Sequence, residues 1–213
     1  VSGSMGFGNK QAKEKEALRA FTGRMLDDSV IGMQTFSGSV QEIVPISLYK
    51  DVKSQVQNAI NTLPILTNTQ TRDGLTLSQQ KLSAAISQNK FPDRKYFLIF
   101  LTDGIPEADP PILDAAHCEK IVYEPRIRSD RCFAKIQDPR NPPNVATEIK
   151  NLGVEIYSIN ITSQEVSDVE MGPLLEALLR DVASTPTADH YYTSLNGTDL
   201  TRILEKVFTD ICS

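Results

Sequence analysis

The chain has 213 residues, of which 40% are hydrophobic and 23% are charged, and this balance is ordinary for one soluble globular domain. Its formal net charge is −5 and no basic run occurs, so we expect no nucleic-acid partner held by phosphate neutralisation. No apolar stretch approaches the length that crosses a bilayer, so we expect no direct membrane insertion.

The first half of the chain alternates between patterns typical of helices and of strands. We predict a glycine-rich loop over residues 1–8, then a helix over Asn9–Leu26, a strand over Val30–Phe36 buried on both faces of a parallel sheet, and an edge strand over Val40–Ile46. A helix over Asp51–Leu63 is followed by a polar turn over Asn68–Thr76 and then by a helix that reaches about Gln88.

The second half continues the alternation. Lys95–Thr102 is the strongest strand of the sequence, because its unbroken apolar run is typical of a central parallel strand. We then predict a short helix over Ile112–Ala116, a helix over Val145–Leu152, a strand over Val154–Ile161, a helix over Val169–Val182, a short strand over His190–Thr193 and a closing helix over Leu200–Ile211. The alternation predicts a doubly wound α/β fold, with a mostly parallel sheet flanked by helices in one domain spanning residues 1–213.

Two of the three cysteines bound a polar segment rich in proline. Cys118 and Cys132 lie in a stretch of about residues 117–143 that we interpret as an inserted loop. A disulfide between them would hold this loop together, leave Cys212 for a partner outside the sequence, and favour an oxidising compartment. Three free thiols in an intracellular protein remain the alternative.

Oxygen-bearing side chains recur in three predicted loops. They are Ser2 and Ser4 in the first loop, Thr76 after Asp73-Gly74, and Asp103 directly after the strongest strand. Ligands of open α/β sheets bind at the carboxyl ends of strands, so we expect these side chains to meet there. Hydroxyl and carboxylate oxygens favour a hard ion such as Mg²⁺, whereas zinc is disfavoured because these loops hold no His or Cys.

These segments carry a family resemblance. Val1–Met5 resembles the tail of the Asp-x-Ser-x-Ser motif of von Willebrand factor A domains, and Val30–Phe36 resembles their second strand. Asp73–Thr76 is similar to their threonine loop, and Leu101–Gly104 to their aspartate motif. The motifs follow the order of the family and span nearly the whole chain, and the closing helix agrees as well.

The resemblance implies a Rossmann-like fold with a metal-ion-dependent adhesion site. Ser2 and Ser4 would bind the ion through their hydroxyls, Thr76 directly or through water, and Asp103 mostly by accepting hydrogen bonds from metal-bound waters. The ion would be Mg²⁺, with Mn²⁺ or Ca²⁺ as alternatives. An exposed Asp or Glu of a protein partner would complete the coordination, in an extracellular or cell-surface setting.

One part of the family pattern is missing. The aspartate that begins the first motif would precede Val1, and the strand that carries it normally lies between the strands we place at Val30–Phe36 and Lys95–Thr102. We therefore expect an amino-terminally truncated domain that lacks its first central strand, folds poorly alone and binds metal weakly.

Two classes of function remain open at this stage. The first is a metal-dependent adhesion module that binds a protein partner. The second is an intracellular interaction subunit of a metal-chelatase or AAA-ATPase-associated complex. A Cys118–Cys132 disulfide favours the first class and free thiols favour the second. We expect no enzymatic activity, because no nucleophile–base pair is evident.

Overall fold

The computed structural model describes residues 9–63, 68–163 and 166–212. The helices are α1 (Lys10–Gly23), α2 (Tyr49–Thr62), α3 (Thr71–Ser87), α4 (Val145–Asn151), α5 (Val166–Val182), α6 (Thr187–His190) and α7 (Leu200–Cys212). The strands are β1 (Val30–Phe36), β2 (Val40–Leu48), β3 (Phe97–Thr102), β4 (Cys118–Glu124), β5 (Ser129–Ala134), β6 (Glu155–Thr162) and β7 (Tyr191–Leu195). Ser2 and Ser4 lie outside the described residues. None of the helices in the described ranges is long and apolar enough to cross a bilayer.

A parallel sheet in the order β3-β6-β7 forms the centre of the molecule. Phe97 lies opposite Glu155 at one end of the β3–β6 pair, and Thr102 lies opposite Asn160 at the other. The six residues from Ile156 to Ile161 are all buried, because β6 has a strand on each side and helices over both faces. The predicted α/β fold with a parallel sheet flanked by helices is confirmed.

The first two strands form a separate antiparallel pair. Val30 lies opposite Leu48, and the backbone N–H of Ser37 donates to the carbonyl of Ser39 at 3.0 Å where the chain reverses. The prediction that Val30–Phe36 is a parallel strand buried on both faces is wrong in two respects: its observed neighbour is antiparallel, and most of its residues are only half-buried. A three-residue connection permits only an antiparallel neighbour, since a parallel one needs a long crossover.

Apolar side chains fill two layers, one on each face of the parallel sheet. Helices α3, α4 and α5 cover one face, where Leu75, Ile149 and Leu178 are fully buried. Helices α1 and α7 cover the other face, where Ala17 and Leu200 pack on β6. A smaller cluster between α2 and the β1–β2 pair includes the following buried residues: Val44, Tyr49, Val56 and Ile60.

Helix α3 begins earlier than the sequence pattern indicates. We predicted a turn over Asn68–Thr76, but the helix starts at Thr71, so Thr76 lies within it. The side-chain carbonyl of Gln137 accepts hydrogen bonds from the backbone N–H groups of Arg72 (3.1 Å) and Asp73 (3.4 Å). Its amide also donates to the Asp73 carboxylate at 2.7 Å. Gln137, which is distant in sequence, therefore provides hydrogen-bond acceptors for N–H groups that have no partner within the first turn of a helix. The local sequence around the helix start does not indicate this contact.

The cysteine-bounded segment is ordered structure rather than a loose insertion. Strands β4 and β5 form a hairpin, and a disulfide joins Cys118 to Cys132 with their Cα atoms 5.5 Å apart. Val122 and Phe133 of this hairpin belong to the main core. Within about residues 117–143, the expected inserted loop is thus a hairpin followed by a single 3₁₀ turn over Lys135–Gln137.

The predicted short helix over Ile112–Ala116 is wrong. Asp114 instead closes a turn, because its carboxylate accepts hydrogen bonds from the backbone N–H groups of Ala116 (2.9 Å) and His117 (3.0 Å). Side-chain bonds of this kind offer the backbone an alternative to the helix.

Candidate functional site

Of the residues predicted at the metal site, the structure describes Thr76 and Asp103, and Asp103 lies buried at the end of β3. It follows β3 directly and is 4% exposed. The backbone reaches it after an apolar strand, so its carboxylate lies at the carboxyl edge of the parallel sheet, where ligands of such sheets bind. The role of Asp103 at a metal ion stays a prediction.

The first helix turn of α1 brings a positive charge to Asp103. The Lys10 ammonium lies 3.3 Å from an Asp103 carboxylate oxygen, and both side chains are almost completely buried. A buried carboxylate without a cation is strongly unfavourable, so this lysine balances the charge that the end of β3 brings into the interior. The burial of Lys10 was missed because the pattern of α1 alone does not show what packs against it.

Glu14 adds a second acid one helical turn further along α1. Burial, followed by the negative charge of Asp103, raises the pKa of Glu14 to about 7. One of its carboxylate oxygens has no hydrogen-bond partner among the described residues. Near neutral pH this carboxyl group is therefore partly protonated, and the site gathers two acids and one ammonium in a buried space.

The structure brings Thr69, rather than Thr76, to this edge. Thr69 is 1% exposed, and within the described ranges its hydroxyl has no hydrogen-bond partner. Its carbonyl accepts a hydrogen bond from the N–H of Glu107 at 2.9 Å, which ties the segment before α3 to the segment that follows Asp103. Thr69 and Asp103 line the same cleft.

Thr76 is occupied elsewhere. It lies in the second turn of α3, and its hydroxyl donates to the Arg72 carbonyl at 2.9 Å. Its predicted role as a metal ligand stays a prediction, but the geometry favours Thr69. One feature of the sequence could have indicated Thr69: it lies in the polar stretch Asn68–Thr71, two residues before α3 begins.

Ser37 contributes a further buried hydroxyl near the end of β1. It is 1% exposed, its hydroxyl has no partner in the described part of the chain, and its carbonyl accepts the N–H of Gln70 at 3.1 Å. Buried hydroxyls are nearly always hydrogen-bonded. A water molecule or an ion could provide the partner that the Ser37 and Thr69 hydroxyls lack among the described residues.

The donor chemistry of this edge fits a hard divalent cation. The described residues contain no cluster of three or more His, Cys, Asp or Glu side chains, so a metal ion here depends on hydroxyl oxygens together with the Asp103 carboxylate. Such oxygen donors suit Mg²⁺ and do not suit zinc.

Comparison with known folds agrees with this architecture. A von Willebrand factor type A domain from Catenulispora acidiphila has a TM-score of 0.60 at 12% identity, and it covers 99% of this chain and 40% of that one. The von Willebrand factor domain of the type V pili tip protein Mfa5 from Porphyromonas gingivalis has a TM-score of 0.62 at 13% identity, covering 99% and 92%.

A third structure is similar over a smaller part of its own length. The PilB minor pilin from Streptococcus sanguinis has a TM-score of 0.53 at 16% identity, covering 94% of this chain and 53% of that one. The chain therefore spans about half or less of two of these relatives. No curated protein sequence is significantly similar to it.

The family assignment rests on the sequence itself. The family model described as "von Willebrand factor type A domain" matches residues 1–124, which is more than half of the chain. That range contains the Ser-x-Ser stretch, Thr69, Thr76 and Asp103. The chain belongs to the von Willebrand factor type A domain family.

Proposed function

We propose that this chain is a protein-binding module that captures a carboxylate of its partner through a divalent cation, Mg²⁺ in the first instance. One observation carries the proposal: a buried carboxylate, Asp103, directly after the carboxyl end of β3, and a buried hydroxyl with no described partner, Thr69, line the same cleft. The fold shared with a pilus tip protein and a minor pilin supports a binding role at a cell surface.

The residues divide the work of such a site. Asp103 and Thr69 would hold the ion, and by family resemblance Ser2 and Ser4 would add two hydroxyls. Bound Mg²⁺ supplies a Lewis acid that accepts a carboxylate oxygen from the partner. In the metal-free chain, Lys10 balances the charge of the Asp103 carboxylate. The chemistry is binding rather than catalysis.

The cysteines support an extracellular or cell-surface setting. Cys118 and Cys132 are joined in the structure, and disulfides persist mainly in oxidising compartments. This favours the adhesion module over the intracellular interaction subunit. A mass shift on reduction of freshly isolated protein, in the absence of added oxidant, tests the setting directly.

A matched pair of threonine variants tests the metal site. We expect Thr69→Val to weaken Mg²⁺ binding at least about tenfold in calorimetric titration, since it removes one oxygen donor and keeps the β-branched shape. Thr76→Val should leave the affinity unchanged. Asp103→Asn should also weaken binding. If Thr76→Val weakens binding and Thr69→Val does not, the ligand is the one that the sequence pattern indicated.

A small carboxylate tests the second half of the proposal. With Mn²⁺ in place of Mg²⁺, acetate should displace a metal-bound water and lower the water-proton relaxation rate, whereas acetamide should not. Equal effects of acetate and acetamide would contradict carboxylate capture while leaving the metal site intact.

A further inference from the structure

The β4–β5 hairpin exposes large apolar side chains. Buried and exposed residues alternate along β4, so that Val122 belongs to the core, whereas Ile121 and Tyr123 on the opposite face are 40% and 54% exposed. Ile127, in the turn between the two strands, is 53% exposed. Apolar residues scattered singly over a surface are ordinary, but three on one hairpin are typical of a site that contacts another molecule.

Arg128 completes this hairpin with a backbone conformation that its side chain disfavours. Its φ is 53°, in the left-handed region. Six non-glycine residues in the described ranges have positive φ, and five of them are residues that tolerate it, Asn or Asp: Asn9, Asn68, Asn89, Asp93 and Asn196. Arg128 is exposed, and its side chain has no hydrogen bond or ion pair within the part of the chain that the structure describes. An arginine held at a strained position without a contact of its own indicates a role outside the chain.

The hairpin is held firmly in place. Its disulfide joins the two strands, and the Arg131 guanidinium donates to both carboxylate oxygens of Glu107 at 2.9 Å. The Lys120 ammonium donates to the Glu170 carbonyl of α5 at 2.7 Å. The exposed side chains are therefore carried by a preorganised element, which lowers the entropy cost of binding a partner.

The same contacts place the hairpin beside the proposed metal site. Glu107, to which Arg131 is bonded, follows Asp103 closely in the chain, and its backbone N–H donates to the Thr69 carbonyl at 2.9 Å. One residue, Glu107, thus links the hairpin to the segment that contains Thr69. A partner bound at Asp103 and Thr69 would meet the hairpin as its next neighbour.

The charges of the chain indicate which kind of partner fits. The formal net charge is −5, and Asp130, which is exposed, lies opposite Tyr123 in the hairpin. An anionic membrane is disfavoured, because such surfaces attract clusters of several basic residues and repel an acidic chain. One arginine next to tyrosine and isoleucine side chains instead matches a protein surface, since tyrosine and arginine are frequent anchors of protein interfaces.

We propose that Ile121, Tyr123, Ile127 and Arg128, together called the hairpin surface, form a second contact with the protein partner. This surface binds a segment in which an Asp or Glu is flanked by aliphatic or aromatic side chains. The Arg128 guanidinium binds the carboxylate, and the three apolar residues cover the flanking side chains. The proposal rests on the proposed function in one respect, namely that the partner is a protein, and it does not require the metal ion.

A displayed library of random dodecapeptides tests the proposal. The library is selected on the chelator-treated wild-type chain and depleted on the Arg128→Gly chain. We expect the enriched peptides to share an Asp or Glu next to aliphatic or aromatic residues. The enriched peptide is then synthesised as the probe, and its matched control has Asn or Gln in place of the acidic residue. In fluorescence anisotropy the control should bind at least about tenfold more weakly than the probe.

Two matched glycine variants separate binding from stability. Arg128→Gly should keep the stability of the wild-type chain in urea denaturation, because glycine adopts the left-handed conformation without strain, and should bind the probe at least about tenfold more weakly. Asn89→Gly changes another exposed residue of positive φ, at 46° beyond the end of α3, and should alter neither property. Tyr123→Ser should weaken probe binding as well.

Several results would overturn the proposal. One is the absence of any enriched peptide that distinguishes wild type from Arg128→Gly, and another is equal binding of the probe and its neutral control. Sedimentation of the chain with phosphatidylserine vesicles that Arg128→Gly abolishes would assign the surface to a membrane. A dimer in sedimentation that Arg128→Gly abolishes would assign it to a second copy. Because all measurements are made in chelator, these results are independent of whether the proposed metal site binds Mg²⁺.

Discussion

At the scale of single residues, the ion pair between Lys10 and Asp103 determines the charge balance of the site. The two charged groups are 3.3 Å apart and almost completely buried. Removing one member of a buried ion pair costs about 3–5 kcal/mol of stability. Removing Lys10 also takes its ammonium away from the Asp103 carboxylate at the proposed metal site.

We therefore expect Lys10→Met to lower the free energy of unfolding by about 3 kcal/mol in chelator, and Mg²⁺ to restore part of this loss. Urea denaturation with and without Mg²⁺ measures both effects. The control is Lys50→Met at an exposed position of α2, which should change neither. Loss of stability that Mg²⁺ does not restore would contradict cation binding next to Asp103.

Glu14 gives the site a pH dependence of known sign. Its pKa is raised from 4.5 to about 7, so between these values the folded state holds a proton that the unfolded state has released. The stability of the metal-free protein therefore falls as pH rises from about 4.5 through 7, by about 3 kcal/mol for this group. Below pH 4.5 both states are protonated and the effect is absent.

Substitution by the neutral isostere tests this dependence. Glu14→Gln should be more stable than the wild-type protein at pH 8, and the difference should vanish near pH 4.5, as measured by urea denaturation in chelator. Glu16→Gln, at an exposed position on the same helix, should show no such trend. A pH-independent difference between Glu14→Gln and wild type would mean that the carboxyl group titrates normally.

The site was only partly predictable from sequence, for a reason visible in its residues. Asp103 follows the strongest apolar run, so both its strand and its edge position could be predicted. Thr69 was missed because the helix start was set two turns too late. Lys10 and Glu14 were missed because their burial depends on β3, which is far away in the chain.

At the scale of elements, the start of α3 depends on Gln137. Its amide group bonds to two backbone N–H groups and one carboxylate of the first turn. We expect Gln137→Ala to lower the free energy of unfolding by about 1–2 kcal/mol, in the range for loss of a helix cap. Urea denaturation measures this. Gln80→Ala on the exposed side of α3 is the matched control, and an equal loss there would assign the effect to helix propensity instead.

The β4–β5 hairpin depends on its disulfide. Cys118 and Cys132 are separated by 14 positions, and closing a loop of that size stabilises a fold by about 3 kcal/mol. Replacing both by alanine should lower the free energy of unfolding by about this amount in guanidinium denaturation. Replacing Cys212 by alanine should have little effect, because it is a free, exposed thiol.

Hydrophobic periodicity correctly predicted the helices and strands whose positions depend on their own residues. It failed for features that depend on contacts between segments distant in sequence. Strand Val30–Phe36 has the predicted bounds, and Lys95–Thr102 and Val154–Ile161 each differ from the observed strand by one or two residues at an end, because apolar runs of this length have few alternatives. The prediction that β1 is buried within a parallel sheet was wrong, since the pattern of a strand does not specify its partner. The hairpin was missed because cysteine, proline and charge obscured its alternation.

At the scale of the whole molecule, the two sheets differ in how they are supported. Strand β6 has a hydrogen-bonded neighbour on each side and is buried from Ile156 to Ile161. Strand β1 has one neighbour among the described residues, and most of it is half-buried. The β1–β2 pair is attached to the rest mainly by packing against α2 and α3, across a cleft lined by both sheets.

This difference between the two sheets predicts that the chain unfolds in two steps, first at the β1–β2 pair and then at the parallel sheet. The amides of β1 should exchange at least about a hundredfold faster than those of β6, because the β1–β2 pair can separate without breaking the parallel sheet. Native-state hydrogen exchange in increasing denaturant measures this: β1 should open with a small denaturant dependence, and β6 only with global unfolding. If both strands exchange at one rate with one denaturant dependence, the β1–β2 pair and the parallel sheet form a single cooperative unit, and the cleft does not divide the molecule energetically.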